Sequence, residues 1–175
     1  SADHSGSFLS GFNVWAGIRN TYQDIHVRDI AAGQGPSSSG GAFDAAGLLF
    51  DGIRNSRVLN CSSFGWGGGT GLEITGCTAS EFSDITIDQT VRASGTPTIS
   101  TGIQIRNEPL NPGPGPGMFL SGYKRQQAVG RTYTSNCKFT RVKSVNASNG
   151  WVINATKCEF INCSAIGATY VGFYI

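Results

Sequence analysis

The stretch Gly47-Leu-Leu-Phe-Asp51 has apolar residues at alternate positions after a glycine. Gly71-Leu-Glu-Ile-Thr75 repeats this template 24 residues later. Further copies are Gly11-Phe-Asn-Val-Trp15, Gly102-Ile-Gln-Ile-Arg106, Gly150-Trp-Val-Ile-Asn154 and Gly172-Phe-Tyr-Ile175. Alternation with a period of two is the mark of a β-strand that buries one face. The copies therefore predict a series of equivalent, half-buried strands.

A second motif follows each of the first five glycine strands and ends in a small or branched apolar residue. Its pattern is an apolar residue, any residue, then Asn, Asp or Arg, then Cys, Ile or Val. In the first three copies it begins 11 residues after the glycine, at positions 22, 58 and 82. The copies are Tyr22-Gln-Asp-Ile25, Val58-Leu-Asn-Cys61, Phe82-Ser-Asp-Ile85, Phe139-Thr-Arg-Val142 and Phe160-Ile-Asn-Cys163. Two independent motifs that keep one register indicate a true internal repeat.

The length of the repeat indicates the fold. One full repeat takes 24 residues, from Gly47 to Gly71, and another takes 22, from Gly150 to Gly172. This length suits a coil of three short strands, each pairing in parallel with its equivalent in the next coil. Hexapeptide repeats are absent, and the Asn149-Gly150 pair lies at a coil junction rather than in a hairpin. We therefore predict an all-β, right-handed, single-stranded parallel β-helix (solenoid) of about five coils.

Composition supports this fold and argues against two classes of partner. Gly makes up 25 of 175 residues and charged residues only 14%, which favours many short strands and turns. The net charge of +2 and the lack of a Lys/Arg cluster argue against a nucleic-acid partner. No apolar run is long enough for a membrane span.

The long steps between repeats predict loop insertions near 31–46, 91–101 and 108–135 in a single domain over 1–175. These loops are interpreted either as functional loops on a rigid scaffold or as tolerated surface insertions. Because Gly172-Phe-Tyr-Ile175 reads as the first strand of a further coil, we expect the chain to be a segment of a longer protein or part of a larger assembly.

The alternation assigns side chains to the two faces of the glycine strands. The predicted interior consists of Leu48, Phe50, Leu72, Ile74, Ile103, Ile105, Trp151, Ile153, Phe173 and Ile175. The predicted outward columns are Leu49, Glu73, Gln104, Val152 and Tyr174, beside Asp51, Thr75, Arg106 and Asn154. We expect this outward face to be the only surface on which a ladder of polar side chains repeats at constant spacing.

The cysteines fall at repeat positions. Cys61 and Cys163 share the last position of the second motif and are expected to be small interior fillers. Cys137 and Cys158 each lie two residues before the motif in successive coils, about 5 Å apart. That distance permits a disulfide, and stacked thiols are the alternative. The absence of a CxxC pair or a Cys/His cluster argues against a zinc site.

The glycine strands and the Asn-Cys turns (Asn60-Cys61 and Asn162-Cys163) resemble the pectate-lyase-like β-helix superfamily over essentially the whole chain. Within it, the Gly/Ser/Thr-rich, low-charge texture looks most like the β-helix of phage tailspikes and capsule depolymerases. That resemblance implies a trimeric virion protein that binds, and often cleaves, bacterial surface polysaccharide. The superfamily also includes secreted pectate lyases, polygalacturonases and mannuronan epimerases.

Two carboxylates are the candidate catalytic residues. Asp51 and Glu73 are expected to point outward from neighbouring coils, with side-chain origins about 8 Å apart. This separation suits an inverting glycosidase, in which the carboxyls lie roughly 6.5–9.5 Å apart. The alternative is that both are solubilising charges. The cluster of carboxylates that a calcium lyase needs, and the Asn-Thr-Asp and Gly-His-Gly motifs of polygalacturonases, are absent.

The remaining candidate residues would hold an extended glycan. Arg106 could bind an acidic sugar in a bidentate manner, and aromatic rings could stack on sugar faces. The predicted substrate-binding residues are Thr75, Gln104, Arg106, Trp15, Trp66 and Tyr174.

The sequence thus predicts a tailspike-like protein that binds a bacterial surface polysaccharide, in the virion (phage tail) or outside the cell. We expect a homotrimer or larger assembly and predict no cofactor and no metal. Whether the chain is an enzyme stays open, and an active one would be a polysaccharide hydrolase or lyase. The alternatives are a non-enzymatic structural virion β-helix and a secreted bacterial polysaccharide lyase or epimerase.

Overall fold

The computed structural model describes residues 9–30, 45–66, 70–90, 101–106 and 133–175. Within these ranges the regular secondary structure is entirely β, in sixteen strands. The strands form three sheets in which every pair is parallel. Each strand pairs with the strand three elements further along the chain, as expected for a parallel β-helix. The predicted all-β fold of stacked parallel strands is confirmed.

The first sheet contains the glycine strands. In spatial order it consists of β1 (Leu9–Trp15), β4 (Ala45–Asp51), β7 (Thr70–Thr75), β10 (Thr101–Arg106), β13 (Asn149–Ile153) and β16 (Val171–Tyr174). The register pairs Leu48 with Leu72, Leu72 with Ile103, and Ile103 with Trp151. Equivalent residues of the repeat therefore lie in one column.

The second sheet is built from the beginning of the second motif and the residue before it. It consists of β2 (Thr21–Gln23), β5 (Arg57–Leu59), β8 (Glu81–Ser83), β11 (Lys138–Thr140) and β14 (Glu159–Ile161). Each strand of the third sheet follows a strand of the second sheet after a short turn. It consists of β3 (His26–Ile30), β6 (Ser62–Trp66), β9 (Thr86–Asp88), β12 (Lys143–Val145) and β15 (Ser164–Ile166).

The third residue of the second motif forms the turn between the second and third sheets. The residues in this column are Asp24, Asn60, Asp84, Arg141 and Asn162, and all have φ between 50° and 57°. Asn and Asp tolerate this left-handed conformation better than other non-glycine residues, which explains their recurrence. Arg141 departs from that preference.

The interior is apolar and aromatic, as the alternation predicts. Leu48, Leu72, Ile103 and Trp151 have no exposed surface. The second sheet adds a ring stack in which Phe139 lies 5.1 Å from Phe82 between ring centroids. The buried indole of Trp151 donates a hydrogen bond to the carbonyl of Ser164 at 3.0 Å, so its polar group is satisfied.

The recurrent glycine is explained by a close approach between the first and third sheets. A Cβ on Gly47 would lie 1.9 Å from Ser63 Oγ, and one on Gly102 would lie 1.8 Å from Ser144 Oγ. Only glycine leaves room for those serine side chains. The repeat therefore couples a glycine in one sheet to a small residue in another.

Two interior predictions need correction at the last strand. Phe173 stacks on Trp151 at 5.7 Å between centroids, yet 45% of it is exposed. Ile175, also expected inside, is 92% exposed. Within the described residues β16 has a partner on one side only, β13, so its inward side chains are covered from one side.

The predicted insertions at 31–46, 91–101 and 108–135 fall mainly outside the described residues. Their ends do not, since β4 begins at Ala45, β10 begins at Thr101, and Ser135 pairs with Thr78. The single domain over 1–175 stays a prediction. No helix long and apolar enough to cross a membrane occurs in the described parts of the chain.

Candidate functional site

The two candidate catalytic carboxylates lie on neighbouring strands of the first sheet. Leu49 on β4 pairs with Glu73 on β7, and Asp51 pairs with Thr75. Asp51 and Glu73 are thus one strand and two residues apart, as the repeat predicts. Their catalytic role stays a prediction.

Glu73 is far less accessible than the sequence led us to expect. Its side chain is 4% exposed and forms an ion pair with the guanidinium of Arg106. Its carboxylate also accepts a hydrogen bond from Thr75 Oγ1 at 3.2 Å. The interpretation of Glu73 as an exposed solubilising charge is wrong. A buried carboxylate held by an ion pair and a hydrogen bond is typical of a structural group, and burial limits its access to a substrate.

The first-sheet face does not form the continuous polar ladder that was predicted. Leu49 is 4% exposed and Thr75 is 6% exposed, so both are buried although they point outward. Gln104 is partly buried and accepts a hydrogen bond from Thr70 Oγ1 at 3.1 Å. The sheet brings Glu73, Thr75 and Arg106 together.

The three aromatic candidates are spread over different strands. Tyr174 lies on β16 and is 64% exposed, two strands away from Gln104. Trp15 ends β1 in the first sheet and Trp66 ends β6 in the third, while their side chains lie outside the described residues. The structure therefore places Tyr174 apart from Gln104, and the binding roles of Trp15 and Trp66 stay predictions.

A groove of about 710 Å³ lies on the outward face of the second sheet. Four neighbouring strands, β5, β8, β11 and β14, supply its floor, and the turn that follows them supplies one wall. Its lining residues are Arg57, Leu59, Asn60, Glu81, Ser83, Asp84, Lys138, Thr140, Arg141 and Ile161. Most of these side chains are polar or charged, which is typical of a surface that binds a hydrophilic ligand.

The charges along the groove alternate in sign from strand to strand. The register runs from Arg57 to Glu81, then to Lys138 and Glu159. Ion pairs join Arg57 Nε to Glu81 Oε2 at 3.1 Å, and Lys138 Nζ to Glu159 Oε2 at 3.6 Å. Like charges directly opposite each other in a sheet would be destabilising. The alternation avoids that repulsion. It also places cationic donors and anionic acceptors one inter-strand spacing apart.

The turn beside the groove carries a second charged pair. Arg141 donates from Nε to Asp84 Oδ1 at 2.7 Å and from Nη2 to Asp84 Oδ2 at 2.8 Å. This bidentate bond lowers the pKa of Asp84 below its usual value of 3.8. It also offers a reason why an arginine occupies a turn position that otherwise holds Asn or Asp. Asp84 stays ionised at neutral pH.

Sequence reasoning missed this groove. The expectation that only the first sheet carries a polar ladder is wrong, because the second sheet carries one over four strands. A signal was present in the residue immediately before each of the last four copies of the second motif, which is Arg57, Glu81, Lys138 or Glu159. These residues alternate in charge once the copies are aligned by the repeat.

Among the described residues, no group of three or more His, Cys, Asp or Glu side chains is arranged to hold a metal ion. All five cysteines are free thiols in the structure. Comparison of the chain with models of known protein families, with curated proteins and with solved structures finds no match. The resemblance to the pectate-lyase-like β-helices therefore rests on the motifs of the chain itself.

Proposed function

We propose that the chain is a right-handed parallel β-helix of about five coils that binds a bacterial surface polysaccharide, in the manner of a phage tailspike. The observation that carries this proposal is the groove on the second sheet, with its polar side chains repeating from strand to strand. The proposed location is the phage tail or another extracellular setting.

The dimensions and chemistry of the groove suit an extended polymer. The four parallel strands of the groove place their outer members roughly 14 Å apart at the usual inter-strand spacing. A glycan chain presents hydroxyl groups at regular intervals along such a length. A ladder of equally spaced donors and acceptors can bind it through several weak hydrogen bonds at once, each contributing about 1 kcal/mol.

The ion pairs in the groove can exchange partners with a charged ligand. Arg57 and Glu81 are 58% and 39% exposed in their side chains, and exposed pairs of this kind contribute at most about 1 kcal/mol. An acidic sugar could therefore displace Glu81 from Arg57 at little cost and gain a bidentate bond to the guanidinium. The site would then favour glycans that contain uronic or other acidic residues.

Binding rather than cleavage is the activity that the groove supports. A glycosidase needs a carboxyl group that keeps its proton at the working pH. Asp84 is poorly suited to that role because its ion pair with Arg141 lowers its pKa. Hydrolysis at Asp51 and Glu73 on the first sheet remains the competing hypothesis.

The proposal is tested with a panel of bacterial capsular and O-antigen polysaccharides. Binding is measured by calorimetry, and cleavage by new reducing ends and by the absorbance of unsaturated uronates. We expect Arg57→Gln and Lys138→Gln each to weaken binding about tenfold, the effect of one lost charge-assisted hydrogen bond.

Lys143→Gln is the matched control for these variants. Lys143 is an exposed cation on β12 of the third sheet, outside the groove, so its loss should change the affinity less than about twofold. Equal losses in all three variants would mean that binding is unspecific. Loss of binding in Arg106→Ala alone would place the site on the first sheet.

The hydrolase hypothesis has its own readout. If the first-sheet carboxylates cleave the glycan, Asp51→Asn should abolish new reducing ends while leaving glycan affinity unchanged. Reducing ends without uronate absorbance would indicate a hydrolase, and both signals together a lyase. Binding without either signal is the result expected of the groove.

A structural role in an assembly is the second candidate function. The segment from the end of β15 to the end of β16 exposes large apolar side chains, with Tyr170 77%, Tyr174 64% and Ile166 53% exposed. Clusters of this kind mark protein–protein contacts, and we propose a homotrimer or larger assembly. Light scattering should find a mass at least three times 18.4 kDa. A monodisperse monomer at micromolar concentration that binds no glycan would contradict both candidate functions.

A further inference from the structure

Two cysteines stand next to each other at the start of neighbouring strands in the second sheet. Cys137 immediately precedes β11 and Cys158 immediately precedes β14, where Lys138 pairs with Glu159. The backbone N–H of Glu159 donates to the carbonyl of Cys137 at 3.0 Å, so the pairing extends to the two cysteines. Neighbouring parallel strands place such Cα atoms about 5 Å apart. Disulfides span this distance without backbone movement.

The two side chains belong to one column and have the same orientation. In this column four side chains each donate to the carbonyl two residues earlier. The bonds are Ser56 Oγ to Arg54 at 2.7 Å, Ser80 Oγ to Thr78 at 2.9 Å, Cys137 Sγ to Ser135 at 3.5 Å, and Cys158 Sγ to Thr156 at 3.5 Å. Stacked side chains with one orientation bring the two sulfur atoms into contact.

The two thiols differ in exposure and in acidity. Cys137 is 2% exposed, whereas Cys158 is only partly buried. The neighbouring side chain of Cys137 lowers the pKa of Cys158 to about 7. The side chain of Cys158, together with burial, raises the pKa of Cys137. At neutral pH the accessible sulfur of Cys158 is therefore the better nucleophile, and the buried thiol of Cys137 keeps its proton.

The other three cysteines lack this combination. Burial raises the pKa of Cys61, Cys77 and Cys163. The column neighbour of Cys163 is Val142, and that of Cys61 is Ile85, so neither thiol has a second sulfur beside it in its column. Cys77 is fully buried, with its Sγ donating to the carbonyls of Phe50 and Thr75.

We propose that Cys137 and Cys158 form a thiol–disulfide exchange site that takes a small-molecule disulfide as its oxidant and closes to an intramolecular disulfide. This site is inferred independently of the polysaccharide groove. Its attacking sulfur is Cys158, and its resolving sulfur is Cys137.

The reaction has two displacement steps. The Cys158 thiolate attacks one sulfur of the oxidant, the S–S bond of the oxidant breaks, and one small thiolate leaves. Cys137 then loses its proton to that thiolate and attacks Cys158 Sγ, breaking the mixed disulfide and releasing the second small thiolate. Two protein thiols lose two electrons in total, and the oxidant gains them to become two thiol molecules.

The first experiment oxidises the whole protein with glutathione disulfide at pH 7.5. Intact mass should fall by two hydrogen atoms, and peptide mapping without reductant should find one cross-link, between Cys137 and Cys158. A cross-link of Cys137 to Cys77, whose carbonyl lies 3.5 Å from Cys137 Sγ, would overturn the assignment. So would a cross-link that forms only after unfolding in urea.

Serine variants separate the two roles, and the chain itself provides the precedent, because serine occupies this position at Ser56 and Ser80. In Cys137→Ser the mixed disulfide with glutathione should accumulate on residue 158. In Cys158→Ser no adduct and no cross-link should form. Adduct formation on Cys137 in that variant would contradict the assigned order of attack.

Cys163→Ser is the matched control, since Cys163 is also partly buried but has no stacked partner. It should oxidise like the unmodified protein. As a second readout, alkylation of Cys158 by iodoacetamide should reach half its maximal rate near pH 7, and Cys137→Ser should change that midpoint. A midpoint for Cys158 equal to that of Cys163 would overturn the proposal.

Discussion

The guanidinium of Arg106 on β10 forms an ion pair with the buried carboxylate of Glu73 on β7. Arg106 is directly opposite Thr75, so its side chain extends diagonally to a residue two positions earlier on the neighbouring strand. The pair holds together two residues that sequence reasoning assigned to catalysis and to substrate binding. The ion pair should therefore contribute to the free energy of unfolding.

Removal of Arg106 should destabilise the protein because the buried carboxylate of Glu73 loses an ion-pair partner. We expect Arg106→Gln to lower the free energy of unfolding by about 2 kcal/mol, since one partner is still 35% exposed. Glu73→Gln should cost less, because a neutral amide is easier to bury than a carboxylate that has lost an ion-pair partner. Urea unfolding of both variants and of the double variant gives the coupling energy. A coupling energy near zero would contradict the ion pair.

The pair formed by Asp84 and Arg141 predicts a pH dependence. Because Arg141 lowers the pKa of Asp84 in the folded state, Asp84 contributes stability above its unfolded pKa of about 3.8. That contribution is lost as the pH falls through the lowered folded pKa. Asp84→Asn should therefore reduce the melting temperature at pH 7, and the difference from the unmodified protein should shrink towards pH 2.5.

Asn suits this test since it tolerates the left-handed backbone at position 84. At pH 7, high salt should also narrow the difference between the two proteins, because the pair is exposed. A difference that stays constant across the pH range would show that the carboxylate charge is not the cause.

Substitution of alanine for the recurrent glycines of the first sheet should have very different effects on stability at different positions. A Cβ at Gly102 would lie 1.8 Å from Ser144 Oγ and 2.8 Å from the carbonyl oxygen of Gly150. We expect Gly102→Ala to cost about 3 kcal/mol, because the backbone must shift to relieve the contact. At Gly172 the nearest atom lies 3.9 Å away, on Ala165, so Gly172→Ala should change stability by less than about 0.5 kcal/mol. Chemical unfolding curves compare the two, and equal costs would refute the packing explanation of the repeat.

The ring stack of the second sheet should be most sensitive at its centre. Phe139 is fully buried and stacks on Phe82 and Phe160, with centroids 5.1 and 4.9 Å away. Phe139→Ala should cost about 4 kcal/mol. Phe160 is 38% exposed, and Phe160→Ala should cost about half as much because part of its surface never leaves water. Thermal unfolding measures both, and a larger cost at Phe160 would mean that the stack is not centred on Phe139.

Much of the architecture could be predicted from the sequence because the repeat is local. Gly47 and Gly71 mark equivalent positions, and the structure stacks their strands in the expected register. The interior positions of Leu48, Leu72 and Ile103 follow from alternation alone. The burial of Phe173 could not be judged in this way, because burial depends on whether a further strand covers it.

The candidate site was predicted less well for a related reason. Alternation places Glu73 on the outward face, but it does not say what lies over that face or which cation reaches it. The charge order of Arg57, Glu81 and Lys138 becomes visible only when the strands are placed side by side. Their positions in the chain are 24 and 57 residues apart, so no local pattern connects them.

The sequence by itself therefore determined the repeat, the parallel pairing of equivalent strands and the face on which each side chain lies. These properties follow from backbone periodicity and from the limited choice of residues at left-handed turns. The tertiary structure alone decided that Glu73 is buried against Arg106, that the second sheet carries the groove, and that Cys137 acidifies Cys158. The physical reason is that burial, ion pairing and thiol acidity depend on the distances between side chains of different coils, and only the packed sheets set those distances.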